Sequence, residues 1–263
     1  RRGGAVARIA ADGAAVWVGH MKRRVASDAP MELKLSAAAV LGESVAGLPE
    51  RGEGPLDIRY SERGGVGWLD FPFYNGAMGV AESRRLLAAY RQALARDTRV
   101  LVLAGGPDFW SNGIHLNQIE AADSPADESW RAINAINDVA EAIINTADRL
   151  TVAAVSGAAG AGGVFLALGA DMVWLRNGAV LNPHYKGMGN LYGSEYWTYV
   201  LPRRVGRERA ETVTQARLPV GGAQARRLGL ADDVFGDNVA SHRAEVWARA
   251  AELAADPAYP ALL

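Results

Sequence analysis

A glycine-rich turn joins a strand pattern to a helix pattern in the stretch TVAAVSGAAGAGGVFLALGAD, which runs from Thr151 to Asp171. Its first residues, Thr151–Ser156, form a short apolar run typical of a buried strand, and a helix pattern begins near Gly162. Glycine lets the backbone bend sharply and approach a ligand, and the exposed N–H groups at a helix start attract negative charge. The stretch therefore predicts a strand and a helix with a candidate binding site between them. The glycines of the turn are Gly157, Gly160, Gly162 and Gly163.

Strand patterns and helix patterns alternate along most of the chain. Apolar residues with helical spacing occur in Val80–Ala95 and in Glu128–Ala147, where Trp130 is expected on the apolar stripe. This alternation favours an α/β fold in which helices cover a sheet of parallel strands. Gly229, after an alanine- and arginine-rich segment, is typical of a helix C-terminus. The strand candidates are Val66–Phe71, Arg99–Ala104, Thr151–Ser156, Met172–Leu175 and Ala231–Phe235.

The chain divides into three parts by its patterns. Residues 1–48 alternate apolar and polar side chains and contain Asp12-Gly13, a dipeptide typical of a hairpin turn. We expect them to be the β-rich end of a domain that continues upstream. Residues 49–56 are rich in Gly, Pro and Glu and are expected to form a linker. A new pattern starts near Asp57, so one large domain is expected over residues 57–263.

Composition narrows the possible functions. The formal net charge is −1 and no long block of like charge occurs, so no nucleic-acid partner is expected. The chain has no cysteine and only four histidines, which excludes disulfides and a cysteine nucleophile and argues against a metal site. No apolar segment approaches the ~18 residues of a membrane helix, and no signal peptide is recognised. We therefore expect a soluble, cytoplasmic protein with no metal ion and no membrane partner.

A second turn follows another predicted strand, in the stretch GGPDFWSNGIHLN from Gly105 to Asn117. Bulky and polar side chains crowd the place where this strand is expected to end. A dinucleotide site would require Gly-x-Gly-x-x-Gly and an acidic residue about 20 positions later, and the glycines of GAAGAGG have a different spacing. Two glycine turns after two neighbouring strands are more informative than either turn alone.

The segments FWSNGIHL and SGAAGAGGVFLALGAD together resemble the two motifs of the crotonase, or enoyl-CoA hydratase/isomerase, superfamily. The resemblance extends from Gly65 to Phe235. It implies a crotonase-like ββα spiral with helices packed outside, and coenzyme A thioesters as substrates. In the family each turn gives one backbone N–H group to an oxyanion hole that holds the thioester carbonyl, and by position these groups belong to Ile114 and Gly162. Fixed backbone donors suit an oxygen that gains negative charge during a reaction.

The chain departs from the family where hydratases carry the two glutamates that activate water. Phe165 and His184 stand at those positions, and a phenyl ring cannot move a proton. His115 stands where the family commonly has aspartate. We therefore expect no hydration of enoyl-CoA and an acyl pocket narrowed by aromatic side chains. The predicted substrate contacts are Trp110, Asn112, Gly113, His115, Phe165, His184 and Tyr192.

Titratable and aromatic residues cluster after the second of these positions. Tyr185 and Glu195 are the predicted catalytic side chains, because the glycines of the intervening loop allow both to reach one carbonyl. Aromatic neighbours are expected to desolvate Glu195 and raise the pKa of its carboxyl group. An alternative is that Glu195 caps a helix that begins at Ser194. Trp197 and Tyr199 are interpreted as core residues.

The segments YNGAM, ADESWRAIN and LNPHYKGMGNLYGSEYWTYVLPRRVG are similar to a branch of the superfamily that takes part in the maturation of nickel-iron hydrogenase. In that branch a formyltetrahydrofolate-using domain comes first, so residues 1–48 would end a formyltransferase-like domain. The resemblance implies cleavage of formyl-CoA to carbon monoxide and CoA, and the carbon monoxide becomes a ligand of the hydrogenase iron. Formyltetrahydrofolate would act only through the upstream domain, and hydrogenase assembly proteins are candidate partners.

Two alternatives stay open at this point. The domain could be a catalytically silent module that binds a CoA thioester or a scaffold for assembly proteins. It could also catalyse another crotonase-type reaction, such as hydrolysis, isomerisation or decarboxylation of an acyl-CoA. The enzyme and the silent module both use the backbone donors of Ile114 and Gly162, whereas only the enzyme requires Tyr185 and Glu195 to be ionisable. Another crotonase-type reaction would show as turnover of longer acyl-CoAs.

Overall fold

The computed structural model describes residues 57–185 and 193–263. The predicted upstream remnant at 1–48 and the linker at 49–56 lie outside these residues. The strands are β1 (Arg59–Arg63), β2 (Val66–Phe71), β3 (Ala77–Met78), β4 (Val100–Gly105), β5 (Phe109–Ser111), β6 (Gly113–Ile114), β7 (Leu150–Val155), β8 (Ala158–Gly160), β9 (Met172–Arg176), β10 (Val180–Asn182), β11 (Val220–Gly221) and β12 (Asp233–Phe235). The helices are α1 (Val80–Leu94), α2 (Leu116–Ala121), α3 (Pro125–Ile144), α4 (Gly162–Leu168), α5 (Trp197–Val205), α6 (Arg207–Gln215), α7 (Gly222–Leu228) and α8 (Val239–Ala255), with 3-10 turns at Tyr74–Gly76 and Tyr259–Ala261.

The five predicted strands lie in one sheet of order β1-β2-β4-β7-β9-β12, which confirms the α/β prediction. Neighbouring strands are parallel except β1 and β2, which form an antiparallel hairpin. The central strands β4 and β7 are buried along their whole length, as expected of parallel strands covered on both faces. The sequence analysis missed β1, whose sequence RYSER is polar and buries only Tyr60.

The two faces of this sheet bury different clusters. Leu101 and Leu103 of β4 point toward the face that packs against α1 and α3. Val100 and Val102 of the same strand point to the other face, where Val246 of α8 covers them. Side chains alternate between faces along a strand, so one apolar strand supplies both clusters.

Two small sheets bring the glycine turns together at the carboxyl ends of the main strands. One has the order β11-β10-β8-β5, and the other pairs β3 with β6. β5 follows β4 and runs parallel to β8, which follows β7. The FWSNGI and GAAGAGG segments therefore lie side by side, as two turns that build one site require.

Helix α1 ends one residue before its predicted end, and α3 lies three residues earlier than predicted at both ends. The prediction for Trp130 is wrong, because its side chain is 70% exposed. The buried stripe of α3 includes Ala132, Ile136 and Ile143, and Trp130 lies off this stripe. Gly229 ends α7 as predicted, with φ 83 in the left-handed region.

The prediction for α5 also needs correction. The helix begins at Trp197 rather than at Ser194. Trp197 packs against the core as predicted, but Tyr199 is 48% exposed because the buried face of this helix carries Val200 and Leu201. Within residues 57–185 and 193–263, no helix combines the length and the apolar character needed to span a membrane.

Candidate active site

The two glycine turns are in close contact. A Cβ atom added to Gly113 would lie 3.1 Å from both the nitrogen and the Cα atom of Gly162. Gly113 has φ 67, a left-handed conformation that suits glycine. Its N–H group donates to Oγ of Ser111 at 3.1 Å. This packing places Ile114, the next residue of β6, close to the start of α4.

A strained residue precedes α4. Ala161 has φ 48 and ψ −124, a conformation that residues with a Cβ atom rarely adopt and that occurs preferentially at functional sites. Its N–H group donates to the carbonyl oxygen of Asn182 at 2.9 Å, which ties the turn to β10. The next residue, Gly162, begins the helix, and the first N–H groups of a helix have no acceptor within it. The turn can therefore offer backbone donors to an oxyanion.

The carboxyl group of Glu195 lies against this turn. A Cβ atom on Gly162 would be 2.0 Å from Oε1 of Glu195, so the carboxyl group occupies the space that the side chain of any other residue at position 162 would need. Oε2 accepts hydrogen bonds from Oγ of Ser194 at 2.5 Å and from the hydroxyl of Tyr185 at 3.1 Å. Oε1 has no hydrogen-bond partner among the described residues. The alternative that Glu195 caps a helix is therefore wrong, since its carboxyl group bonds to these hydroxyls and α5 begins later.

Burial changes the proton affinity of this group. Glu195 is completely buried, which raises the pKa of its carboxyl group to about 7 against the opposing effect of its hydrogen bonds from Ser194 and Tyr185. The direction agrees with the sequence analysis. Burial and the neighbouring Glu195 also raise the pKa of the Tyr185 hydroxyl well above its ordinary value. Tyr185 therefore stays protonated and can donate to Glu195 near neutral pH.

An aromatic cluster encloses the pair. The ring of Phe165 stacks on that of Tyr185 with centroids 5.3 Å apart and an angle of 25°. The Trp197 ring lies 6.1 Å from Phe165 and 6.4 Å from Tyr185. Phe165 is completely buried on α4, three residues after Gly162. The structure thus brings Gly162, Phe165, Tyr185 and Glu195 together.

Asn112 and His115 flank the first turn with their side chains engaged. Nδ2 of Asn112 donates to the carbonyl oxygen of Asn75 at 2.5 Å, and its Oδ1 is buried without a hydrogen-bond partner among the described residues. His115 is the N-cap of α2, where Nδ1 accepts the N–H of Gln118 at 3.4 Å. Burial lowers the pKa of His115, which keeps its ring neutral. These hydrogen bonds hold the turn in place. That Asn112 or His115 contacts the substrate stays a prediction.

The other predicted substrate contacts are Trp110, His184 and Tyr192. Trp110 is buried in the core, where its indole N–H donates to the carbonyl oxygen of Leu103 and its ring meets Phe71 edge-on at 5.3 Å. These contacts give Trp110 a packing role and do not support its predicted place in the acyl pocket. His184 is 4% exposed, just after β10. Tyr192 lies outside the described residues.

Sequence reasoning missed three residues that shape the site. Ala161 carries the strained turn, Ser194 donates to Glu195, and Asn137 of α3 accepts the N–H group of Glu195 at 2.7 Å through Oδ1. Ser194 could have been noticed as the polar neighbour of Glu195. No sequence pattern marks Ala161, or connects Asn137 to a residue 58 positions later. In the part of the chain that the structure describes, no group of three or more acidic or histidine side chains is placed to share a metal ion.

Comparison with known families identifies this architecture. Residues 77–260 match the enoyl-CoA hydratase/isomerase family model, so the chain belongs to the enoyl-CoA hydratase/isomerase family, whose fold is crotonase-like. The enoyl-CoA hydratase of Thermoplasma volcanium superposes with a TM-score of 0.66 over 77% of this chain and 79% of that one. Its identity of 24% supports the shared fold alone.

Two further relatives are more similar in sequence. The hydrogenase maturation factor HoxX of Bradyrhizobium diazoefficiens is 57% identical over 99% of this chain and 45% of its own length. HypX from Aquifex aeolicus, solved in complex with tetrahydrofolic acid, is 47% identical with a TM-score of 0.78 over 86% of this chain and 42% of that one. The matched part is the C-terminal region of HypX. The chain therefore spans less than half the length of these relatives.

Proposed function

We propose that this chain cleaves formyl-CoA to carbon monoxide and CoA. One observation carries the proposal: the buried carboxyl group of Glu195, with a pKa raised to about 7, lies against Gly162 at the start of α4. A group whose pKa is near the working pH can take a proton in one step and return it in the next. It lies beside the turn that is expected to hold the thioester carbonyl.

The backbone N–H groups of Ile114 and Gly162 are assigned to the formyl oxygen. The contact between Gly113 and Gly162 supports this assignment, because it brings the two turns within reach of one atom. Fixed backbone donors stabilise developing negative charge without reorganising during the reaction. Coenzyme A is the carrier of the formyl group and the leaving group of the reaction.

The proposed reaction balances with one acid–base group. The Glu195 carboxylate takes the proton of the formyl carbon, the C–H electron pair stays on carbon, and the C–S bond breaks with its electron pair moving to sulfur. Carbon monoxide is released, and protonated Glu195 returns the proton to the thiolate to give CoA. Tyr185 and Ser194 occupy Oε2, so Oε1 is assigned the proton transfer.

Hydration of an enoyl-CoA fits these residues poorly. Phe165 stands where a hydratase would carry a water-activating glutamate, and its ring is buried against Tyr185. Cleavage of formyl-CoA consumes no water, so it does not need that second carboxylate. The same rings fill space that a longer acyl chain would occupy, which favours a formyl group as substrate.

The similarity to HoxX and HypX gives the reaction its proposed purpose. The carbon monoxide would become a ligand of the iron in nickel-iron hydrogenase, delivered with the help of hydrogenase assembly proteins. Formyltetrahydrofolate would supply the formyl group through a separate upstream domain, in keeping with the tetrahydrofolic acid bound to Aquifex HypX. A cytoplasmic location belongs to this proposal, because the reaction consumes a CoA thioester.

The test is a single-turnover reaction with formyl-CoA under anaerobic conditions, in which a haem protein reports carbon monoxide by its absorbance. We expect one carbon monoxide per formyl-CoA consumed, and a rate at least ~10²-fold lower for Glu195→Gln. Tight binding of CoA by calorimetry without carbon monoxide release would support a silent binding module instead. Turnover of crotonyl-CoA at ~1–10³ per second would point to another crotonase reaction.

A further inference from the structure

One hydrogen bond links the site to a helix far away in the sequence. Oδ1 of Asn137, in the fourth turn of α3, accepts the backbone N–H of Glu195 at 2.7 Å. Asn137 is half-buried, and residues on both sides of it on α3, Ile136 and Val139, are fixed in the core. The acceptor is therefore carried by a rigid element.

The backbone held by this bond is strained. Glu195 has φ 55 and Tyr196 has φ 52, so two consecutive residues with side chains adopt the left-handed conformation. Such residues cost free energy and persist only where surrounding contacts impose them. The segment 193–196 precedes α5 and pairs with no strand of the described residues, so the contact from α3 is an external restraint on Glu195.

This conformation determines where the carboxyl group lies. With Glu195 left-handed, its side chain enters the protein interior, and its carboxyl group lies where a Cβ atom on Gly162 would be, while Ser194 and Tyr185 donate to Oε2. A change in the φ angle of one residue moves its side chain by several ångströms. Loss of the backbone restraint would therefore displace the carboxyl group, although Glu195 itself is unchanged.

We propose that Asn137 is a positioning residue that holds the Glu195 backbone in the conformation from which its carboxyl group reaches Gly162. It acts through the main chain of Glu195 and is not assigned any contact with substrate. The kinetic part of this inference rests on the proposed function, whereas the placement of the carboxyl group can be measured without substrate. A displacement of about 1 Å at a reacting group lowers rates by up to ~10²-fold.

The experiment compares Asn137→Ala with Asn134→Ala in the full chain. Asn134 lies one turn earlier on α3 and is exposed, and its side chain donates to the carbonyl oxygen of Trp130 on the same helix, so it is the matched control. We expect Asn137→Ala to lower kcat for carbon monoxide release ~10- to 100-fold with little change in KM. Asn134→Ala should behave as the parent, and Asn137→Asp, which keeps an acceptor oxygen, should retain most of the rate.

The second readout is the titration of Glu195, followed by carbon-13 NMR of labelled glutamate and assigned with Glu195→Gln. In the parent the carboxyl group should titrate near pH 7, and in Asn137→Ala its pKa should fall toward its ordinary value of 4.5 as it leaves its buried place. An unchanged titration together with an unchanged kcat would overturn the proposal. If the parent releases no carbon monoxide, the proposed function fails, and the titration alone decides the role of Asn137.

A compensating substitution separates positioning from simple loss of stability. Asparagine adopts the left-handed conformation more readily than tyrosine, so Tyr196→Asn should lower the strain that Asn137 opposes. Tyr196 is 40% exposed, which makes the change tolerable. We expect Asn137→Ala/Tyr196→Asn to recover several-fold in kcat over Asn137→Ala. No recovery, with both variants folded, would show that the bond does not act through this conformation.

Discussion

Glu195 and His242 are both fully buried, and burial has opposite consequences for them near neutral pH. Burial raises the pKa of Glu195 to about 7, so the carboxyl group gains and loses its proton in the physiological range. Burial, with the charges of Arg176 and Arg243, lowers the pKa of His242 to about 4, so the imidazole stays neutral there. Nδ1 of His242 pairs with the Ser156 hydroxyl at 2.8 Å. Burial alone therefore does not identify a catalytic group, because the direction of the shift decides whether it can exchange protons.

A glycine lies beside each of these two residues, Gly162 beside Glu195 and Gly236 beside His242, and the two glycines make room for different groups. The missing side chain of Gly162 leaves room for the tip of the Glu195 side chain, with Oε1 2.0 Å from the place of a Cβ atom. The missing side chain of Gly236 leaves room for the backbone of His242, whose Cα atom is 2.5 Å from that place, and Gly236 has φ 77. One glycine admits a movable functional group, whereas the other permits the close packing of α8.

The largest expected effect distinguishes these glycines. Gly162→Ala should lower carbon monoxide release at least ~10³-fold while the protein remains folded, because the added methyl displaces a side-chain tip. Gly236→Ala should instead lower the free energy of unfolding by about 2 kcal/mol, because main chain must move and alanine disfavours positive φ. Single-turnover kinetics and urea unfolding of both variants measure the contrast. Equal loss of activity in folded Gly162→Ala and folded Gly236→Ala would show that the two glycines do not have different roles.

The next largest effect concerns the two hydroxyl groups that hydrogen-bond to Glu195 and His242, those of Tyr185 and Ser156. Tyr185→Phe removes the donor to Glu195 and should lower carbon monoxide release at least ~10²-fold with little change in CoA binding, because the donors to the thioester are backbone groups. Ser156→Ala removes the partner of His242 and should leave the rate within about twofold. It should cost about 1–3 kcal/mol of stability, since Nδ1 of a buried histidine loses its partner.

Calorimetry of CoA binding supplies the control for Tyr185→Phe. If this variant loses CoA affinity and keeps its rate at saturation, Tyr185 is a packing element of the pocket. If Tyr185→Phe and Glu195→Gln both release carbon monoxide at the parent rate, the proton-transfer assignment is wrong and His184 or His115 becomes the next residue to substitute.

Much of the fold could be predicted because its signals are local. The apolar runs of β2, β4 and β7 predict the buried strands to within a residue, and the alternation with helices predicts that these strands are parallel. The predictions for Trp130 and Tyr199 are wrong because both side chains lie off the buried face of their helices, which hydrophobicity alone does not reveal. The hairpin strand β1 was missed because its sequence is polar and its pairing partner supplies the apolar side.

The candidate site could be predicted only in part. Glycines and titratable residues are visible in a sequence, so Gly162, Tyr185 and Glu195 were found, and the structure brings them together. The position of Trp110 in the motif predicts a place in the pocket, whereas its side chain packs in the core. Asn137 was missed because its contact with Glu195 depends on how α3 packs, which has no local signal.

A smaller effect is the pH dependence of the rate. If the Glu195 carboxylate takes the formyl proton, the rate is low where this group is protonated and rises through pH about 7. We expect kcat/KM for carbon monoxide release to increase about tenfold per pH unit below that value and to level off above it. The residual rate of Glu195→Gln should lack this rise, whereas Ser156→Ala should keep it. A rise centred near pH 4.5 in the parent would mean that the buried environment of Glu195 does not set the reactive pKa.

The smallest expected effect is on the pH dependence of the free energy of unfolding, to which Glu195 and His242 contribute with opposite signs. His242 has a folded-state pKa of about 4 against an ordinary value of 6.5, so between these values the unfolded chain binds more protons and stability rises with pH. Glu195 has about 7 against 4.5, so the folded chain binds more protons and stability falls as pH rises through this window. From pH 5 to 6 each contributes a slope of up to ~1.4 kcal/mol per unit, with opposite signs, and the two nearly cancel in the parent.

Urea unfolding at pH 5.0, 5.5 and 6.0 should therefore give Glu195→Gln a more positive slope of unfolding free energy against pH than the parent and His242→Asn a more negative one, with the double variant between them. Equal slopes in the two single variants would show that the groups do not titrate in opposite directions on folding.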